Sequence, residues 1–226
     1  MNSSFARRLV AELLGTGFLV ATVIGSGIMG ERLAGGNVAI ALLANTIATG
    51  AGLVALILAF GPISGAHFNP VVTLSTAMEG GIRRAEAWGY AGAQLLGAVG
   101  GAVVAHGMFG LPAMSLSQHA RGGAAQLFSE FVATFGLMCV IWGCSRRPEA
   151  VAFAVGAYIT AAYWFTASTS FANPAVTIGR TLSDTFAGIR PQDAPGFVVA
   201  QIAGGISATW LFRWLGPATA FTSDRA

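Results

Sequence analysis

The stretch Ser64-Gly65-Ala66-His67-Phe68-Asn69-Pro70-Val71-Val72-Thr73 decides the fold, because half a sequence later it returns as Phe171-Ala172-Asn173-Pro174-Ala175-Val176-Thr177. Aligned on Phe68 and Phe171, the two differ by one inserted residue. In each, Asn stands where a helix N-cap belongs. Pro fills the first helical position, where its missing N–H costs nothing. The apolar run after Asn69 ends near Met78 and the one after Asn173 near Phe186. Both are shorter than the roughly 20 residues a spanning helix needs. Each predicts a half-helix whose N-terminus lies inside an apolar zone.

Around the two boxes lie six runs that qualify as spans or nearly so: 9–29, 38–60, 88–108, 126–144, 151–169 and 196–212. Composition agrees. Of 226 residues, 54% are hydrophobic and 9% charged, against about 25% charged in a soluble domain. Mean hydropathy is +0.68. Disorder, collagen and an ordinary cytosolic enzyme are excluded, and the chain belongs in a lipid bilayer. Run 9–29 is too long for a signal-peptide core and lacks a small-residue cleavage site, so it reads as a retained first span. The twelve basic residues are all Arg. They form no basic stripe interleaved with aromatics, so no nucleic-acid partner is expected.

The repeat extends beyond the boxes. Ala11-Glu12-Leu13-Leu14-Gly15-Thr16 returns as Ser129-Glu130-Phe131-Val132-Ala133-Thr134, and Gln94 has a counterpart in Gln201. Each half, about 7–108 and 125–215, holds three spans and one half-helix. Three is odd, so the second half sits inverted, and such repeats place their site at the midplane. The expected fold is an all-α membrane protein, residues 1–226 forming one domain with six transmembrane helices plus two re-entrant half-helices. Loop arginines set the orientation. With the N-terminus inside, Arg7, Arg8, Arg83, Arg84, Arg146, Arg147, Arg213 and Arg225 face the cytoplasm; Arg32, Arg121, Arg180 and Arg190 face out. Both termini are therefore expected in the cytoplasm.

Irregular backbone cannot face lipid, so 61–68 and 168–172 must dip inward to reach the two Asn residues. The half-helices then meet N-terminus to N-terminus, with their positive dipole ends on one midplane spot. There the amides of Asn69 and Asn173 can donate to a solute oxygen. Carbonyls of Gly65, Ala66 and His67, and of Ser170, Phe171 and Ala172, would form an acceptor ladder. Such a centre holds a neutral polar molecule and repels a cation.

With these residues in view, the chain resembles the aquaporin and glycerol-facilitator family over essentially its whole length. The resemblance implies a homotetramer with one pore per protomer. The first box reads Asn-Pro-Val, with Val71 where the family has Ala and the second box has Ala175. After the second box the family places an Arg; here Val176 stands there. Matched by distance from the Asn residues, the remaining filter positions fall on Thr49, Ala161 and Ser170. This set is small and uncharged, so the filter is expected to be wide. It resembles that of a bacterial subgroup associated with arsenic resistance. That implies passage of arsenous acid and, by extension, methylated arsenicals, beside glycerol and water, across the inner (plasma) membrane. A plain glycerol facilitator or water channel remains open.

Other residues carry competing readings. Glu12 and Glu130 are ionisable groups inside spans; they serve either as a proton relay or as braces for the two box-bearing loops, and their symmetry favours bracing. His67 is either a pore-wall donor or a pH sensor. Gln94 and Gln201 either touch solute or pack on the half-helices. Arg180 replaces the absent filter Arg from the outer vestibule, or pairs with Asp184 one turn on. Ala93, Gly97 and Gly101 form a helix-crossing stripe, while Trp88, Trp210 and Trp214 read as interfacial anchors. Cys139 and Cys144 read as packing residues, and His106 and His119 support no metal site. Without a Walker loop, dinucleotide fingerprint or paired carboxylates, neither a cofactor nor an enzymatic role is expected. The rival from another class is a proton-coupled transporter, which shares the inverted repeat.

Overall fold

The computed structural model describes residues 3–216, so Arg225 lies outside the described residues. Eight helices follow one another: α1 (Phe5–Leu33), α2 (Val38–Ser64), α3 (Pro70–Met78), α4 (Arg84–Met108), α5 (Ala124–Gly143), α6 (Pro148–Phe165), α7 (Pro174–Thr181) and α8 (Ala194–Leu215). Among the described residues, five helices are long and apolar enough to cross a membrane: α1, α2, α4, α5 and α8. The sixth long helix, α6, has 18 residues and opens on Pro148 and the charged Glu149, which dilute its apolar run.

The short helices α3 and α7 start as their sequences require. The Asn69 side chain accepts from Val71 N–H, and that of Asn173 from Ala175 and Val176 N–H. Pro70 and Pro174 follow at the first helical positions. At its far end, α7 stops at Thr181, five residues short of the predicted Phe186. The physical reason is competition for its last carbonyls: Ser115 N–H bonds Leu182 O and Ser117 N–H bonds Thr181 O. His106 then holds the Ser183 hydroxyl at 2.8 Å, turning the chain away.

Helices pack closely where glycine strips the surface. A Cβ on Gly97 of α4 would stand 2.3 Å from Leu13 O of α1. A Cβ on Gly204 of α8 would stand 2.5 Å from Phe131 O of α5. Leu13 and Phe131 occupy equivalent places in the repeat, so α1–α4 and α5–α8 are the same contact made twice. The α2–α6 crossing joins the halves through Gly50 and Gly156; a Cβ on Gly156 would lie 2.8 Å from Gly50 O. In lipid, helix association rests on such contact rather than on a hydrophobic driving force.

Candidate functional site

The two boxes meet and hold each other. Asn69 Nδ2 donates to Ala172 O at 2.7 Å, and Asn173 Nδ2 donates to Phe68 O at 2.8 Å. Each amide therefore spends one N–H on the opposite loop and keeps one. Both Asn residues also line a cavity of about 530 Å³ that includes the two loops. The expected ladder changes accordingly, because Ala172 O is already engaged. The register changes too: Phe68 pairs with Ala172 and His67 with Phe171, with no insertion.

Behind each loop stands a buried carboxylate. Glu12 accepts from Ser64 Oγ (2.7 Å), His67 N–H (3.0 Å), Phe68 N–H (2.7 Å) and Gln94 Nε2 (2.7 Å). Glu130 accepts from Phe171 N–H (2.9 Å), Ala172 N–H (2.9 Å) and Gln201 Nε2 (2.6 Å). Gln94 and Gln201 also reach Thr73 and Thr177, both at 2.9 Å, and so tie each carboxylate to its half-helix. Hydrogen bonds to a charged acceptor contribute about 1.5–3 kcal/mol each. That offsets the loops' strain: Ala66, Phe68, Ser170 and Ala172 all sit at φ between 48° and 50°, a conformation costing an L-residue about 1–2 kcal/mol.

Four long helices line the cavity with residues four apart. They are Leu19 and Val23 of α1, Thr49, Leu53 and Ile57 of α2, Leu137 and Ile141 of α5, and Val151, Val155, Ile159 and Tyr163 of α6. Thr49, Ser170 and Val176 lie in this wall, together with Gly65, Ala66, His67 and Phe171. Ala161 does not. It lies on the exposed side of α6, two residues and about 200° around the helix from Tyr163. Tyr163 is the α6 residue at this level, and its hydroxyl meets Thr49 Oγ1 at 3.3 Å. The distance count missed it, although the four-residue stripe on α6 was readable. Val71 also faces away from the cavity, packed where Gly205 leaves room; a Cβ there would stand 2.2 Å from Val71 Cγ1.

Arg180 corrects the ion-pair reading made for it. It forms no ion pair with Asp184, whose Oδ1 accepts from Gln118 N–H at 2.9 Å. It is 1% exposed and lines the same cavity as Val176. Its Nε donates to Ala187 O, and its guanidinium lies over the Phe171 ring, 3.3 Å from the centroid. A second arginine, Arg121, reaches the same ring at 5.2 Å. Arg121 donates to the carbonyls of Gly188, Ser168 and Phe186, pinning the segments either side of α7. Burial presses its pKa down to about 10, which leaves it charged at neutral pH. No sequence signal marked Arg121, because its partners are backbone carbonyls far along the chain.

Two half-helices meeting N-terminus to N-terminus on paired Asn-Pro boxes, each loop held by a buried Glu, define a channel-type membrane fold. The chain belongs to the major intrinsic protein family, whose model matches residues 1–150. It is 55% identical over 210 residues to aquaglyceroporin AqpS of Rhizobium meliloti (strain 1021), covering 92% of this chain and 90% of that protein. It is 33% identical over 220 residues to aquaporin NIP1-4 of Oryza sativa subsp. japonica, covering 94% and 78%. The solved aquaglyceroporin of Plasmodium falciparum shares the fold, with TM-score 0.74 at 21% identity over 95% of this chain and 97% of that one.

Proposed function

We propose that residues 1–226 form one passive channel for small uncharged solutes: arsenous acid, related methylated arsenicals, glycerol and water. The observation that carries this reading is the wall at Thr49, Ser170 and Val176. There, the uncharged side chains of these three residues, with Tyr163 at the same level and Arg180 one turn on, meet the two Asn amides in one cavity. The name of the 55% identical relative, an aquaglyceroporin, supports it. Arsenous acid is a small neutral trihydroxy acid that can use the donors and acceptors glycerol would use. The proton-coupled alternative finds no support at Glu12 and Glu130, whose carboxylates are occupied by four and three donors.

The proposed setting is the inner (plasma) membrane, as a homotetramer with one pore per protomer and both termini cytoplasmic. Eight arginines inside against four outside support that orientation. The test is stopped-flow light scattering on proteoliposomes of the whole chain. Glycerol and arsenous acid should both enter faster than into protein-free vesicles. Vesicles permeable to water and closed to both solutes would refute the wide-filter reading.

A further inference from the structure

Two polar atoms in the cavity wall lack a hydrogen-bond partner although buried: Arg180 Nη1 and Ser170 Oγ. Their residues are 1% and 2% exposed, and both line the cavity. Ser170 directly precedes Phe171, on whose ring the Arg180 guanidinium rests. Arg121 makes the contrast. It touches the same ring but spends its nitrogens on carbonyls. The Arg180 side chain donates to Ala187 O through Nε and leaves Nη1 without a hydrogen-bond partner, on a residue that lines the cavity. A buried charged donor left unpaired is costly, and the cavity is where that cost is relieved.

We propose that Arg180 and Ser170 form a solute-binding station and cation barrier at the Tyr163 end of the cavity, one turn along α7 from Val176. Nη1 donates to a hydroxyl oxygen of a neutral polyol or hydroxylated acid, and the Ser170 hydroxyl exchanges a hydrogen bond with the same solute. The guanidinium, reaching back over Phe171 from a Cα about 6 Å farther along the helix axis, supplies the positive charge that Val176 lacks. Arg121 adds a second positive charge behind the ring. His119 adds none at neutral pH, because burial and the two arginines hold it below its ordinary pKa. This arrangement lets the wall at Val176 stay wide while cations are still refused.

The proposal rests on the channel reading above, and proteoliposomes test it. Arg180→Gln should raise proton and sodium leak at least five-fold relative to the water flux of the same vesicles. Arg180→Lys, which keeps the charge, should not. Adding Val176→Arg to Arg180→Gln should return the leak to the wild-type level. A leak unchanged in Arg180→Gln overturns the barrier. Ser170→Ala removes one oxygen without adding volume and keeps the test open if Arg180→Gln does not fold. Its glycerol-to-water flux ratio should fall two- to ten-fold, and an unchanged ratio overturns the station. Glycerol flux absent from the wild type would count against the channel's solute class and leave the leak comparison standing.

Discussion

In the first half of the molecule, Gly15 faces the ring of Phe68; in the second, the equivalent residues are Ala133 and Ala172. In the first half, Val71 presses on Gly205 of the second; its mirror image is Ala175 with Ala98. A Cβ on Gly15 would stand 1.9 Å from Phe68 Cε1, and one on Gly205 would stand 2.2 Å from Val71 Cγ1. Ala98, Ala133, Ala172 and Ala175 are all fully buried. The second half divides volume evenly across each contact, and the first concentrates it on one partner. The hydrogen-bonded frame of Glu, Gln, Thr and Asn is the same in both. What the symmetry preserves is this hydrogen-bonded frame; packing need only conserve the sum.

The carboxylates should break this comparison hardest. Glu12→Gln turns one acceptor oxygen into a donor facing donors, and about 3 kcal/mol or more should be lost. Glu130→Gln, with one donor fewer, should lose less. Thermal unfolding in detergent measures both, and the reverse order would mean that the first loop does not depend on its extra bond from Ser64.

Next come the exchanged volumes. Gly15→Ala should cost about 1–3 kcal/mol or more by overpacking, and Phe68→Ala added to it should recover much of that loss. Ala133→Gly in the other half should cost only about 1 kcal/mol, the ordinary helix penalty. Gly205→Ala with Val71→Ala should behave likewise, as a double-mutant cycle with coupling of about 0.5–3 kcal/mol. Additive effects at either pair would dissolve the volume-exchange account.

The smallest effect lies at the helix starts. Asp193, the N-cap of α8, accepts from Arg121 N–H at 2.7 Å and from Arg190 Nε at 3.1 Å, whereas α4 is capped by Arg83, which pairs with Glu86 in its first turn. Burial opposes ionisation of Asp193, but these partners outweigh it and hold its pKa below 3.8. A lowered carboxylate pKa stabilises above the unfolded value and loses that contribution as pH falls through the folded one. Hydrogen exchange around Arg121 should therefore speed up only below about pH 4, and Asp193→Asn should remove the change.

Much of this was legible in the sequence. Asn-Pro twice, Glu12 with Glu130, and Gln94 with Gln201 are side-chain signals at fixed spacing, and they mark the frame. The exchanged volumes escaped, because Gly15 and Phe68 are neighbours only after the loop folds back on α1. Ala161 was misplaced because counting from Asn173 ignores the face that α6 turns inward. The stripe through Val151, Val155, Ile159 and Tyr163 carries that information. The pairing of Arg180 with Asp184 was misjudged because its actual partners, a carbonyl seven residues on and the Phe171 ring, belong to irregular backbone with no periodicity to read. The early end of α7 had the same cause: the segment at Ser115 and Ser117 that captures its carbonyls comes from the other side of the chain.

The central claim is that an uncharged wall at Thr49, Ser170 and Val176 admits solutes larger than water. Stopped-flow permeability of Val176→Arg beside wild type tests it most directly, with protein per vesicle matched. Arg brings a long, permanently charged fork into the wall. The account predicts that glycerol and arsenous acid fluxes fall at least ten-fold while water flux falls no more than two- to three-fold. Equal glycerol-to-water ratios in the two proteins would contradict it.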